Sequence, residues 1–152
     1  MKNRKDVKLY NVLFPFWMIL LLIPQLWLII LPGNFIIDSI VFSVSLKILK
    51  LSEVKRLYRL YIGKIFFFGI ISDLIGSAYM MLMALVFHLG TMGDELYITL
   101  PALIISSVMI FVFNYYITFK GFEKPIRKKL ALTFAVVTAP YTFLVPSSWL
   151  YF

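Results

Sequence analysis

Long apolar runs separated by short charged ones organise this chain, and the first run extends from Tyr10 to Leu51 with Pro32-Gly33-Asn34 as its interruption. Proline sets one turn position, glycine accepts positive φ and asparagine caps a new helix, so the tripeptide predicts a hairpin between spans at about 10–31 and about 35–51. A full double crossing and a re-entrant pair both return the chain to its starting side, and the pattern fits either. Ser52 to Tyr61 then carries Val54, Leu57, Tyr58 and Tyr61 at helical spacing, with Lys55, Arg56 and Arg59 on other faces. That pattern predicts an amphipathic connector over 52–61 lying flat among lipid headgroups.

A third apolar run at about 62–89 exceeds the roughly 20 residues one crossing needs, so it must tilt or project. Gly90-Thr91-Met92-Gly93-Asp94-Glu95 has two acids and no base. It reads as a loop on the far side. The fourth span is expected at about 96–119, with Pro101 near its start and Tyr115 and Tyr116 near its end, and the fifth at about 130–147. Because Pro140 and Pro146 interrupt that last run, four spans with a half-inserted C-terminal segment is the alternative. The expected fold class is therefore all-α, an integral membrane helical bundle of about five transmembrane helices forming one domain over 1–152.

Composition agrees with lipid as the solvent. Apolar residues make up 62% of the chain, charged residues 14%, and the mean hydropathy is +0.94, against roughly half apolar and a quarter charged in soluble domains. The basic residues add an orientation. All fifteen Lys and Arg fall in three clusters, within Lys2–Lys8, Lys47–Lys64 and Lys120–Lys129, with none in the long runs between. Retention of basic flanks on the inner side predicts a cytoplasmic N-terminus, three cytoplasmic clusters and a plasma-membrane location. A basic start and a long uninterrupted core read as an uncleaved signal anchor. The net charge of +8 thus points to anionic membrane lipids as partners, worth about 1 kcal/mol for each of Lys55, Arg56 and Arg59, and not to nucleic acid. A homo-oligomer or a larger membrane complex is the other expected kind of partner.

Candidate chemistry is sparse. The absence of cysteine removes disulfides and thiol chemistry, and a lone His88 without companion donors predicts no metal site. No phosphate-binding loop, nucleophile elbow or cofactor motif is present, so no cofactor is expected and enzymatic activity is disfavoured. What remains is two acids inside apolar runs, Asp38 and Asp73, because ionisable groups at membrane depth cost several kcal/mol unless paired or hydrated. Asp38, four residues past Asn34, has a structural explanation in the dipole at the start of the expected second span. Asp73 lies about 13 Å of helical rise beyond Lys64, near mid-bilayer.

On the third span Gly69, Asp73, Gly76, Met80 and Met83 recur at helical spacing, and Ser72 with Gly76 forms a small-xxx-small pair, so a close helix contact is expected along this stripe. Candidate partners for Asp73 are Asn114, Ser43, Ser45 and Lys47, and Gln25 is a candidate partner for Asp38 by depth. These residues fit either interhelical hydrogen bonding or an ion or proton site. Three functional classes follow: a transport-related or accessory membrane subunit, a stand-alone ion- or proton-coupled transporter using Asp73, and a membrane-embedded enzyme acting on lipid or peptide through Asp38 and Asp73.

Overall fold

A computed structural model describes residues 24–87 and 95–145, with side chains from 25 to 86 and from 96 to 145. Among these residues all regular structure is helical. Four α-helices follow one another as α1 (Pro24–Ile48), α2 (Val54–Phe87), α3 (Glu95–Phe113) and α4 (Lys124–Val137). A π-helical turn, Asn114–Thr118, extends α3, and a 3-10 turn, Tyr141–Leu144, follows α4. Three of these elements are long and apolar enough to cross a membrane, over Gln25–Ile48, Val54–Val86 and Leu96–Thr118.

The hairpin expected at Pro32-Gly33-Asn34 is not formed, because α1 runs through all three residues as one 25-residue helix. The expectation borrowed turn preferences measured in water. In hydrocarbon, breaking a helix leaves several backbone groups without partners, whereas a proline inside one forfeits a single bond. Residues 10–23 of the expected first span lie outside the described residues, as do His88, most of the expected loop at 90–95 and the aromatic tail from 146.

The flat connector expected at 52–61 is absent as a separate element too. Val54, Leu57, Tyr58 and Tyr61 stay in helical phase with Ile62, Ile65 and Ser72, and nothing between them stops a helix, so the segment forms the first turns of the 34-residue α2. At about 1.5 Å per residue α2 is about 51 Å long, against a hydrocarbon core of about 30 Å. α1 and α2 are joined by a tight reversal in which Leu51 N–H reaches back to the Leu46 carbonyl while Lys50 takes φ 53°. A left-handed residue at this point closes the helix end, a role glycine fills without steric cost. We expect Lys50→Gly to stabilise the protein by about 1 kcal/mol, read as a raised unfolding midpoint in detergent.

α2 is central, with α1 on one side and α3 on the other. It runs antiparallel to α3, since Phe68 stacks on Phe113 with centroids 5.1 Å apart while Ser72, one turn on, receives a hydrogen bond from Ser106, two turns back. At the end where α1 meets α2, the rings of Phe42, Phe119 and Phe134 form a triangle with centroid separations of 5.8, 6.2 and 5.9 Å. Leu46, Ile65, Ile110 and Leu130 complete this core. A second cluster, Met80, Ile98, Ala102 and Phe143, closes the other half.

The outer surface is apolar, with Ile36, Ile40, Val44 and Ile48 exposed along one line of α1 and Leu100, Ile104 and Val108 along one line of α3. Meanwhile Asp38, Ser45, Ser72, Ser106 and Asn114 are buried. Apolar outside and polar inside is the distribution that lipid favours.

The fifth expected span is resolved into a shorter object. α4 has 14 residues, about 21 Å, which is less than a crossing. Thr138 ends it by donating both its amide and its hydroxyl to the Phe134 carbonyl. The chain then folds back over Ala139 and Pro140 into the 3-10 turn, where Tyr141 OH is hydrogen-bonded to the Val136 carbonyl. Prolines and β-branched residues here stop a helix that the surrounding hydropathy would continue.

Candidate functional site

Three walls enclose a cavity of about 500 Å³. α1 supplies Trp27, Leu31, Asn34 and Asp38, which recur at helical spacing and so share one face. α2 supplies Phe66, Gly69, Ile70, Asp73 and Ser77 on the same principle. The third wall is the segment from Val137 to Phe143, where α4 has ended and the 3-10 turn begins. This last wall had no counterpart in the sequence reading, although the Thr138-Ala139-Pro140 stop signal was visible in it.

Both intramembrane acids line this one cavity. Asp38 is 6% exposed and its Oδ2 stands 3.7 Å from where a β-carbon on Gly69 would lie. The missing side chain of Gly69 is what lets α1 bring a carboxyl group against α2. Asp73 sits one turn further along α2, and its Oδ1 is buried without a hydrogen-bond donor. Among the described lining residues there is no Lys, Arg or His. The ion pair recorded among the described residues, Arg56 with Glu53 at 2.9 Å, is exposed and elsewhere. Two carboxyl groups in apolar surroundings need a counter-charge, which a bound cation or a proton supplies.

Gly69 can be tested separately. We expect Gly69→Leu to place its side chain over Asp38 and into the cavity mouth, and a probe that reacts with a cysteine at Ser77 should lose access in that background by tenfold or more.

The other sequence candidates lie apart from this cavity. Lys47 is exposed in the last turn of α1, and neither it, Ser43, Ser45 nor Asn114 is among the lining residues. Asn114 is 1% exposed in the π-helical turn. It donates to the Ile110 carbonyl at 3.0 Å, while its Oδ1 has no partner. Gln25 is exposed, and with α1 continuous it stands thirteen positions before Asp38, about 20 Å along the axis. The proposed depth match depended on the hairpin and goes with it. The dipole explanation for Asp38 fails for the same reason, since Asp38 is in the middle of Pro24–Ile48 and not near a helix start.

Comparison with protein-family models, characterised proteins and solved structures returns no match. The chemistry of the cavity therefore has to be read from its own residues.

The small residues expected to allow a close helix contact divide between two seams. Gly69 faces α1, as described. Gly76, Ser72 and Met80 face α3: a β-carbon at Gly76 would overlap Ser106 Oγ and lie 3.0 Å from both the Ala102 carbonyl oxygen and Phe143 Cε2. Ser106 Oγ donates to the Ser72 carbonyl at 3.0 Å across the same seam. Met80 is fully buried beside Ala102 and Phe143. The seam holds α3 and the third wall in register with α2.

The basic residues of the described segments gather at the opposite end from Gly76. Tyr61 of α2 meets Phe122 with centroids 5.0 Å apart, which brings the start of α2, the end of α3 and the start of α4 together. Lys47, Lys50, Lys55, Arg56, Arg59, Lys64, Lys120, Lys124, Lys128 and Lys129 are all exposed around this end. Arg127 is the exception. Its guanidinium lies 4.3 Å from the Tyr115 ring centroid and its Nη2 donates to Tyr115 OH at 3.3 Å.

Proposed function

We propose that this is a small transport-related protein of the cytoplasmic membrane whose cavity binds a cation between Asp38 and Asp73. The observation that carries this reading is the meeting of both intramembrane acids in one cavity with no basic residue among its described lining. An interhelical role alone would be met by hydrogen bonds to the carboxyl groups, yet Asp73 Oδ1 is buried with none. Reconstituted into liposomes under an imposed membrane potential or pH gradient, the protein is expected to carry cation or proton flux. Asp73→Asn should abolish that flux while leaving insertion and elution volume unchanged. Flux that survives the substitution overturns the reading.

The same meeting of acids supports a second reading, a membrane-embedded enzyme in which the two carboxyl groups act as acid and base on a lipid or peptide bond. Turnover of such a substrate, lost in Asp38→Asn and accompanied by no flux in the parent protein, favours that alternative.

The orientation proposed is the basic end inward, by the retention of Lys and Arg on the cytoplasmic side, with Lys55, Arg56 and Arg59 against anionic lipid. The exposed apolar lines on α1 and α3 would then contact acyl chains, further copies of the chain or the subunits of a larger complex. Single cysteines at Ser52 and Glu123 should resist an impermeant maleimide added from outside. Labelling at Glu123 in intact cells inverts the topology. Gly121 is a poor choice for such a cysteine, because Tyr61 OH lies 2.8 Å from where its β-carbon would be.

A further inference from the structure

The reading of the cavity as a cation site leaves open what kind of cation it holds, and the walls carry information on that point. Their volume of about 500 Å³ falls within the roughly 300–1,000 Å³ of sites that enclose small organic molecules. A bare metal ion calls for a tight cage of about six or more oxygens at about 2.4 Å. Among the described residues no group of three or more His, Cys, Asp or Glu is placed to hold one. The polar side chains of the lining are instead dispersed over α1, α2 and the 137–143 wall.

Between them the surface is aromatic and aliphatic. Trp27 and Phe66 come from the long helices, and Tyr141 and Phe143 from the third wall. Aromatic faces attract organic cations, quaternary ammonium groups above all, without requiring hydrogen bonds. The two acids lie on the α1–α2 seam. Asp38 is more than nine-tenths buried and lines the cavity with no ion pair, and Asp73 Oδ1 is buried without a donor. What is missing from the site is one positive group attached to an apolar body. Phospholipids fit poorly, since their phosphate would enter beside two carboxylates.

We propose that the cavity binds a lipophilic organic cation, an amine or onium compound whose charged centre sits between Asp38 and Asp73 and whose apolar body lies against Trp27, Phe66, Tyr141 and Phe143. This rests on the cation-site reading and narrows it.

The test uses the purified full-length protein in detergent or nanodiscs and measures equilibrium binding of tetraphenylphosphonium, of tetraphenylborate as an anion of the same shape, and of radioactive sodium and potassium. Saturable binding of tetraphenylphosphonium is expected, without saturable binding of tetraphenylborate. Asp38→Asn and Asp73→Asn, which conserve shape, should each weaken it tenfold or more with the elution profile and helical circular dichroism unchanged. Thr142→Trp adds bulk from the exposed 3-10 turn while keeping both acids. It should reduce phosphonium binding tenfold as well, which a site for a bare ion would not do.

Acid-dependent binding of sodium or potassium, or acid-dependent proton flux, with no phosphonium binding overturns the proposal and keeps the cation-site reading. Phosphonium binding indifferent to both Asn substitutions, or equal binding of the borate, overturns both. If the Asn variants fail to fold, the Thr142→Trp variant and the borate comparison still decide, since equal binding in either rejects the proposal.

Discussion

Gly76→Ala should separate α2 from α3 and destabilise the protein by about 1–3 kcal/mol, the usual cost of forcing extra atoms into a packed contact. The new methyl group would overlap Ser106 Oγ and press on the Ala102 carbonyl oxygen and on Phe143 Cε2, both 3.0 Å away. Ser106 cannot simply turn aside without giving up its hydrogen bond to the Ser72 carbonyl, and Ala102 contributes backbone, which does not turn at all. Gly63, on the same helix with nothing within 4 Å of its would-be β-carbon, is the matched control. There alanine should be neutral or stabilising by about 0.5–1 kcal/mol, because glycine is the poorer helix former. The double variant Gly76→Ala with Ser106→Ala should recover part of the loss, and the cycle measures the coupling between the two positions. The readout is unfolding in mixed micelles. Equal midpoints for Gly76→Ala and Gly63→Ala would refute the seam.

Phe42→Ala is expected to be the other large loss. The ring stands against those of Phe119 and Phe134 and is fully buried. In a soluble protein such a truncation costs about 3–5 kcal/mol, of which one part is transfer from water and the other is the void left behind. Lipid is as apolar as the core, so the transfer part largely vanishes between a packed and a separated helix. The void remains, and about 2 kcal/mol is the expected loss. Ile40→Ala, on the exposed line of the same helix, has no void to create and should stay close to the parent. The contrast between positions 40 and 42 tests whether packing, and not hydrophobicity, holds this half of the bundle.

Hydropathy and the clustering of basic residues were enough to place the three long helices, because each is a run of apolar residues closed by charge, and lipid imposes that pattern directly. Asp38 and Asp73 stood out for the same reason. Their meeting was not legible. Depth along a helix can be counted from its ends, but the direction a residue faces around the bundle depends on crossing angles that no local pattern encodes. Depth counting therefore selected Lys47 and Asn114 for Asp73 and Gln25 for Asp38, and passed over the pairing across Gly69. The Pro32 hairpin was misread because proline, glycine and asparagine carry turn meaning only where water can take up the freed backbone groups. The Val137–Phe143 wall was missed for the opposite reason: its apolar residues continued the run, and the small stop at Thr138–Pro140 counted for less than it should have.

Pro32 has a mechanical consequence. Without an amide hydrogen it cannot return a bond to the Leu28 carbonyl, so α1 is stitched less tightly there than anywhere else in its length. The weak point falls between Trp27, on one side, and Asn34 and Asp38, on the other. These two arms of one helix can change their mutual angle by bending at a single place, which shifts an aromatic ring relative to a carboxyl group without separating α1 from α2 at Gly69. Lubrication of that kind allows a closed chamber to breathe while the seams that define it stay shut.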